Sequence, residues 1–186
     1  MKKRPLTVKQ GIALGLPCLS VLLICTLLFH SAPAGATSCN QVSIETVNPL
    51  DFGKLRMQKN LAGWAVLDGM GGLIVSPGVA ISNKQPPMPG RIRINAPANS
   101  ILQLTLHTQF APATTSVQLL STELFAGIQP LVRNGNSWEF KTAESAEHYV
   151  EQILSIGGEI QIPPSRQPQT LAIQLQVACL AIQPAI

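Results

Sequence analysis

Motifs for catalysis and nucleotide binding are missing from this sequence. Asp51-Phe52-Gly53 matches one fragment of a kinase signature, but neither a glycine-rich nucleotide loop nor a catalytic-loop motif accompanies it. The glycine-rich residues 69–72 precede an apolar segment instead of opening a helix. No helix N-terminus is therefore available to hold a phosphate there, and the segment is predicted to be a turn. An enzyme is not expected, and neither is a cofactor.

Charged residues are scarce, and their two signs balance once the N-terminal residues are set aside. Charged residues are 12% of the chain, and 13 Lys and Arg accompany 9 Asp and Glu. Because four of the cations lie within the first nine residues, the rest of the chain is formally neutral. This excludes the basic surface of a nucleic-acid-binding protein and removes one barrier to self-association. Lys54, Arg56 and Lys59 form a local basic cluster. It is interpreted as a solvated loop because only Trp64 follows it as a nearby aromatic residue and no further Lys or Arg cluster accompanies it.

The N-terminus has the three parts of a secretory signal. Residues 1–4 are basic, residues 11–29 are an apolar run, and residues 34–36 form an Ala-Gly-Ala cleavage site. This order predicts a signal peptide over residues 1–36 and a mature chain that begins at Thr37. An uncleaved membrane anchor is the alternative, since about 20 apolar residues span a bilayer. We expect an exported protein of the periplasm, cell surface or extracellular space, which meets the membrane only through its signal peptide.

Two cysteines remain after the predicted cleavage. Cys18 and Cys25 lie in the signal, whereas Cys39 and Cys179 lie near the ends of the mature chain. In an oxidising compartment such a pair is more often bonded than free. Both lie beside predicted strands, and terminal strands of a sandwich often pair, which would bring the two Cα atoms within bonding range. An intramolecular Cys39–Cys179 disulfide is predicted, with a bond between chains as the alternative.

Alternating apolar and polar residues predict strands throughout residues 37–186, which are taken as one domain. Residues 171–177 are the clearest case, and residues 101–106 and 91–94 repeat the pattern. The many short strands favour a sandwich or a barrel. Further strands are predicted at residues 42–47, 64–67, 73–76, 117–120, 137–141 and 159–162.

Turns and one helix complete the predicted elements. Asn134-Gly135 is a strong hairpin signal, because both residues tolerate the positive φ of a type I′ turn. Residues 50–53 are also predicted to be a turn. A helix is predicted at residues 142–153, with a strand over residues 149–154 as the alternative.

Acidic residues recur within the predicted helix. Glu144, Glu147, His148 and Glu151 are spaced to share one side of it. Such a face can bind a metal, but carboxylate sites of this kind need facing helices, and no second helix is predicted. A solvated acidic face is therefore preferred, and no metal site is assigned. His107 ends a predicted strand without a Ser or Cys nucleophile motif beside it, so no catalytic residue is assigned, although a triad could still assemble from distant residues.

Four segments in order cover nearly all of the mature chain. They are residues 50–53, residues 71–78, the pair 91–95 and 101–106, and residues 156–163 leading to 171–177. Together they resemble a family of exported bacterial pilin-like proteins of unknown function, akin to spore coat protein U and fimbrial subunits. The resemblance implies an all-β, Ig-like or fimbrial-adhesin-type β-sandwich with at most one short helix. It also implies export and no catalytic residues, and it assigns no ligand.

The expected function is that of an exported, non-enzymatic structural protein, a subunit or accessory of a fimbria-like or coat-like surface assembly. Its expected partners are further copies, other assembly subunits, and a periplasmic chaperone and usher, but not nucleic acid. A self-contained module that binds a small molecule, glycan or protein is the alternative. An exported hydrolase is the third hypothesis.

Overall fold

Strands make up nearly all of the regular structure. The computed structural model describes residues 38–58, 61–82, 84–111, 116–164 and 169–185. Within these ranges no helix is long and apolar enough to cross a membrane. One 3-10 turn at Cys39–Gln41 precedes the strands. The strands are β1 (Ser43–Asn48), β2 (Leu50–Met57), β3 (Gly63–Leu67), β4 (Leu73–Val75), β5 (Val79–Ile81), β6 (Gly90–Pro97), β7 (Ser100–Ala111), β8 (Gln118–Ala126), β9 (Gln129–Pro130), β10 (Val132–Asn134), β11 (Ser137–Lys141), β12 (Tyr149–Ile162) and β13 (Gln169–Pro184).

Two antiparallel sheets pack as a sandwich. The first sheet has the order β1-β6-β12-β3-β4, with β8 on the other edge of β12 and β9 beyond β8. The second sheet has the order β10-β11-β7-β13-β2-β5. The predicted all-β sandwich is therefore confirmed.

Alternation along the strands produces the core between the sheets. In β6, Ile92, Ile94 and Ala96 are buried, whereas Arg91 and Asn95 are exposed. Successive side chains of a strand point to opposite faces, so a period of two in the sequence becomes one core face and one outer face. The largest fully buried side chains are Phe52, Phe140, Leu50, Leu55, Leu67, Ile92, Ile94, Leu102, Leu104, Leu124, Leu154 and Ile156.

Strand β12 organises the first sheet by changing partners along one edge. Residues 149–156 pair with β6, residues 158–162 pair with β3, and β8 pairs with the opposite edge. Gly157 lies between the two partners, where an added Cβ would lie 2.5 Å from the Leu67 carbonyl oxygen. The absence of a side chain at this position lets the neighbouring backbone approach.

The helix predicted at residues 142–153 is wrong. Residues 142–148 have no regular structure, and β12 begins at Tyr149, in agreement with the alternative of a strand. The Thr142 hydroxyl oxygen accepts the Ser100 N–H at 2.8 Å, and the Thr142 N–H donates to the Ser100 carbonyl at 2.8 Å. Helix propensity is a weak preference, and these tertiary hydrogen bonds hold the backbone extended instead.

Residues 50–53, predicted to be a turn, open strand β2 instead. Leu50 and Phe52 are fully buried. Gly53 has a φ of +72°, and its N–H donates to the Asp51 carboxylate at 2.7 Å. The glycine makes a kink whose sequence looks like a turn, but the strand continues beyond it to Met57. The hairpin predicted at Asn134-Gly135 is present between β10 and β11, but of these two residues only Gly135 has a positive φ, and Asn134 ends β10 opposite Ser137.

A disulfide joins Cys39 to Cys179, with their Cα atoms 5.9 Å apart. The predicted bond is present, but the strand pairing expected to bring it about is wrong, because β1 pairs with β6 in the first sheet. Cys39 lies in the 3-10 turn before β1, and Cys179 lies in β13 of the second sheet. The Thr46 hydroxyl of β1 also donates to the Leu175 carbonyl of β13 at 3.1 Å. A disulfide and a hydrogen bond thus attach the segment from Cys39 through β1 to β13 of the second sheet.

Removing the disulfide is expected to destabilise the domain strongly. The bonded residues are 140 positions apart, and closing a loop of this length contributes about 4 to 5 kcal/mol in the chain-entropy model. Urea denaturation of Cys39→Ser/Cys179→Ser should show a loss of this order in the free energy of unfolding, and reduced wild type should match it. Non-reducing peptide mass spectrometry that found free thiols, or a bridge only between chains, would contradict the assignment.

A methyl group at position 157 is expected to disturb the partner change in β12. Gly157→Ala should lower the free energy of unfolding by about 1 to 3 kcal/mol, the usual cost of overpacking, because Leu67 approaches through its backbone. Ser155→Ala in the same strand is the matched control and should change stability by less than about 0.5 kcal/mol. Equal stability of Gly157→Ala and wild type in urea would refute this account.

Candidate functional site

Strand β7 has a long unpaired edge in the second sheet. It pairs with β13 over residues 100–111 but with β11 only over residues 101–104. Among the described residues, no strand lies against the other edge of residues 105–110, which we name the open edge. Alternate N–H and C=O groups of an unpaired edge can bind another extended chain.

A second unpaired edge lies on the same side of the sandwich. Strand β9 covers only Phe125 and Ala126 of β8, so residues 118–123 have no second neighbouring strand within the described ranges. Leu131 alone separates β9 from β10. The chain therefore passes directly from the edge of the first sheet to β10 and β11 at the edge of the second, and the two unpaired edges flank one side of the molecule.

The open edge lacks the features that protect edge strands. Such strands are commonly blunted by charge, by proline or by shortness. The open edge reads Thr-Leu-His-Thr-Gln-Phe and contains no charged residue of the Asp, Glu, Lys or Arg type and no proline. By comparison, the edge strands β4, β5 and β10 have three residues each. The open edge is therefore the better template for an incoming strand.

Core residues are partly exposed beside these edges. Leu106 and Phe110 of the open edge pack against the core but are only half-buried, and so is Leu119 of β8. Burial of apolar surface is favourable and is roughly proportional to the area removed from water. An added strand that covered these side chains would extend the core as well as the hydrogen-bond ladder.

The outer face of the open edge is polar and contains no Asp, Glu, Lys or Arg. His107 and Gln109 are exposed there, and the register places them opposite Gln176 and Gln174 of β13. The sequence placed His107 at the end of a strand, but the strand continues to Ala111. Within the described residues His107 contributes to this polar face and to the open edge, and it has no assigned chemical role.

The first sheet has an apolar outer surface near β8. Trp64, Ile74 and Leu120 are 41%, 64% and 52% exposed. Trp64 and Leu120 line a shallow cavity of about 210 Å³ together with Glu159 and Gln161. Because Leu120 belongs to β8, this surface adjoins the second unpaired edge. Exposed apolar side chains grouped in this way are typical of a contact surface.

The acidic residues singled out in the sequence do not share one helix face. Glu144 forms an ion pair with Lys141 at 3.5 Å, and Glu151 forms one with Arg93 at 3.2 Å. Glu147 and His148 are exposed in the irregular segment before β12. In the part of the chain that the structure describes, no three His, Cys, Asp or Glu side chains are placed to hold a metal ion.

Two of the three residues in the basic cluster lie in a strand. Lys54 and Arg56 alternate with buried residues of β2 and lie on its outer face, so their interpretation as a loop is wrong. Lys59 lies outside the described residues. Lys84 lines the same surface cavity as Lys54 and Arg56. Sequence analysis missed it because only the pairing of β2 with β5 brings it close.

Sequence analysis also missed the open edge. The predicted strand covers residues 101–106 with His107 at its end, yet strand-favouring residues without Asp, Glu, Lys or Arg continue to Phe110. That continuation is the available signal, since Thr and Phe favour strands. The pairing that leaves one edge uncovered has no such local signal.

Comparisons with known proteins add no relative. No protein-family model matches the chain, no curated protein matches it, and no solved structure matches it. The function is therefore argued from the sequence and the site geometry.

Purified exported protein is expected to contain no stoichiometric metal. Glu144 and Glu151 each have a cationic partner, and the segment between them is not helical. Elemental analysis measures the metal content directly. One metal ion per chain that is lost in Glu144→Gln/His148→Asn, but kept in the exposed control Glu123→Gln, would contradict this expectation.

Proposed function

We propose that this protein is an exported, non-enzymatic structural protein, a subunit or accessory of a fimbria-like or coat-like surface assembly. The observation that carries the proposal is the open edge, residues 105–110, bordered by half-buried core residues. Strand addition at such an edge supplies a row of main-chain hydrogen bonds, while pockets for alternate side chains supply specificity. The resemblance to pilin-like proteins and the neutral mature chain support the same reading.

The disulfide supports an exported location and restricts the mode of assembly. Disulfides persist in oxidising compartments such as the periplasm and cell surface. If the signal is cleaved before Thr37, only Thr37 and Ser38 precede Cys39, which is tied to β13. Two residues are too few to complete a neighbour's sheet. The protein would therefore receive a strand at its open edge, or act as a tip, terminator or accessory.

The partners that suit this role present an extended segment with alternating apolar side chains. Such a segment could come from another subunit or from a second copy of the chain. A periplasmic chaperone would cover the open edge before assembly, because an uncovered edge promotes aggregation. An usher would then exchange the chaperone for the next subunit.

A self-contained binding module is the second candidate. The exposed Trp64, Ile74 and Leu120 on the outer face of the first sheet favour it, since exposed apolar patches mark contact surfaces. Oligomeric state separates the two candidates. A module of this kind would remain monomeric while binding its ligand.

Lysines beside the open edge are expected to prevent assembly. In His107→Lys/Gln109→Lys both substituted residues are exposed on the outer face, so the fold should be retained. Lysine on an edge strand disfavours pairing with another strand. Sedimentation velocity should show assembled species in the wild type, alone or with the proteins encoded beside it, and only monomer in the variant.

The matched control is Gln174→Lys/Gln176→Lys. These residues lie opposite Gln109 and His107 on the same face, but in strand β13, on the side of β7 away from the open edge. The control adds the same charge and should assemble like the wild type. Wild type that stays monomeric under all these conditions, or equal loss of assembly in both variants, would refute the proposal.

A further inference from the structure

A second surface feature lies at the opposite edge of the second sheet. It is a cavity of about 350 Å³ where β2 meets β5. Its volume falls within the range of small-molecule sites. The residues that line it are Lys54, Arg56, Ala80, Ile81, Ser82 and Lys84.

Backbone hydrogen bonds hold the basic residues around this cavity. Arg56 pairs with Ala80 in the β2–β5 register. The Lys54 carbonyl accepts the Ser82 N–H at 2.9 Å, and the Lys54 N–H donates to the Gln85 carbonyl at 3.4 Å. The segment that carries Lys84 is therefore anchored to β2 on both sides of that lysine. The backbone segments that carry the three cationic side chains are therefore hydrogen-bonded to one another.

The cavity is cationic although the predicted mature chain is formally neutral. Three of its lining residues are Lys or Arg, and no Asp or Glu lines it. None of these three cations takes part in the ion pairs found among the described residues, which involve other cations. Asp51, the nearest acidic residue along β2, is buried and accepts hydrogen bonds from the Gly53 N–H and the Gln85 side chain. Among the described residues, no carboxylate therefore lines the cavity or forms an ion pair with its cations.

We propose that this cavity binds a tetrahedral oxyanion, phosphate or sulfate, either as the free ion or as the ester of a small polar molecule. An arginine guanidinium donates in a planar fork that matches two oxyanion oxygens, and lysine ammonium groups add compact charge. Ser82 supplies a hydroxyl at the same cavity. The site is independent of strand addition, because it lies at the edge of the sheet farthest from the open edge.

Isothermal titration calorimetry on the full exported chain with its disulfide intact tests the proposal. The probes are inorganic phosphate, inorganic sulfate and glucose 6-phosphate, with glucose as the uncharged control. Phosphatidylcholine vesicles with and without phosphatidic acid form a separate arm. Binding of the free ions and the ester with similar affinity identifies a site for the ion itself, and tighter binding of the ester identifies a small phosphorylated molecule. Either result supports the site.

Two variants with the same change in charge make the test specific. Lys54→Gln/Arg56→Gln/Lys84→Gln should weaken binding by at least about tenfold, because it removes charge-assisted hydrogen bonds. The control removes three cations elsewhere and should weaken binding by less than about twofold, because distant surface charges are screened by salt. Its substitutions are Arg91→Gln, Arg133→Gln and Lys141→Gln.

Three results would overturn the proposal. One is the absence of binding of every soluble anion at about 10 mM. Another is equal weakening in both triple variants, which would indicate general charge attraction. The third is binding to anionic vesicles alone, which would indicate a membrane surface effect. Circular dichroism of each variant verifies that the sheets are retained.

Discussion

The first sheet depends on backbone pairing along β12. This strand holds β8 on one edge and both β6 and β3 on the other, so β1, β4 and β9 are attached to it through a single neighbour. The arrangement requires two strands to meet end to end beside Gly157, where the Leu67 backbone occupies the space of a side chain. Gly157 thus allows β12 to pair with two different strands along one edge while the core face of the sheet remains continuous.

The elements that could be predicted are those whose signal is local. Residues 137–141 and 171–177 alternate regularly, and each lies within a strand with one core face. The failures involve distant contacts. Gly53 is enclosed by the Gln85 carbonyl of another segment, and Thr142 is held by Ser100, which is 42 positions away. Nothing in residues 50–53 or 142–148 alone indicates those partners, so local propensity led to a turn and a helix.

The candidate sites are harder to predict because both depend on pairing between strands. The bond between Cys39 and Cys179 could be predicted from the number of cysteines and the expected compartment, although the sheets that it connects could not. The composition of residues 105–110 permits an edge strand, but the short overlap of β7 with β11 is what leaves it uncovered. Likewise Lys84 joins Arg56 only through the β2–β5 register. The side of the sandwich with the open edge therefore presents unpaired backbone N–H and C=O groups. The opposite edge, formed by β2 and β5, presents the cations Lys54, Arg56 and Lys84.

The Cys39–Cys179 bond also determines how the domain would respond to mechanical force. A pull applied between residues before Cys39 and residues after Cys179 would pass through the covalent bond. The chain between the two cysteines would carry little of that load, whereas residues 181–184 of β13, which follow Cys179 and pair with β7, would bear it directly. A load entering through a strand bound at the open edge would act on β7 instead, and from there on its pairing with β13. The molecule is thus inextensible between its two cysteines and compliant only where its pairing is non-covalent.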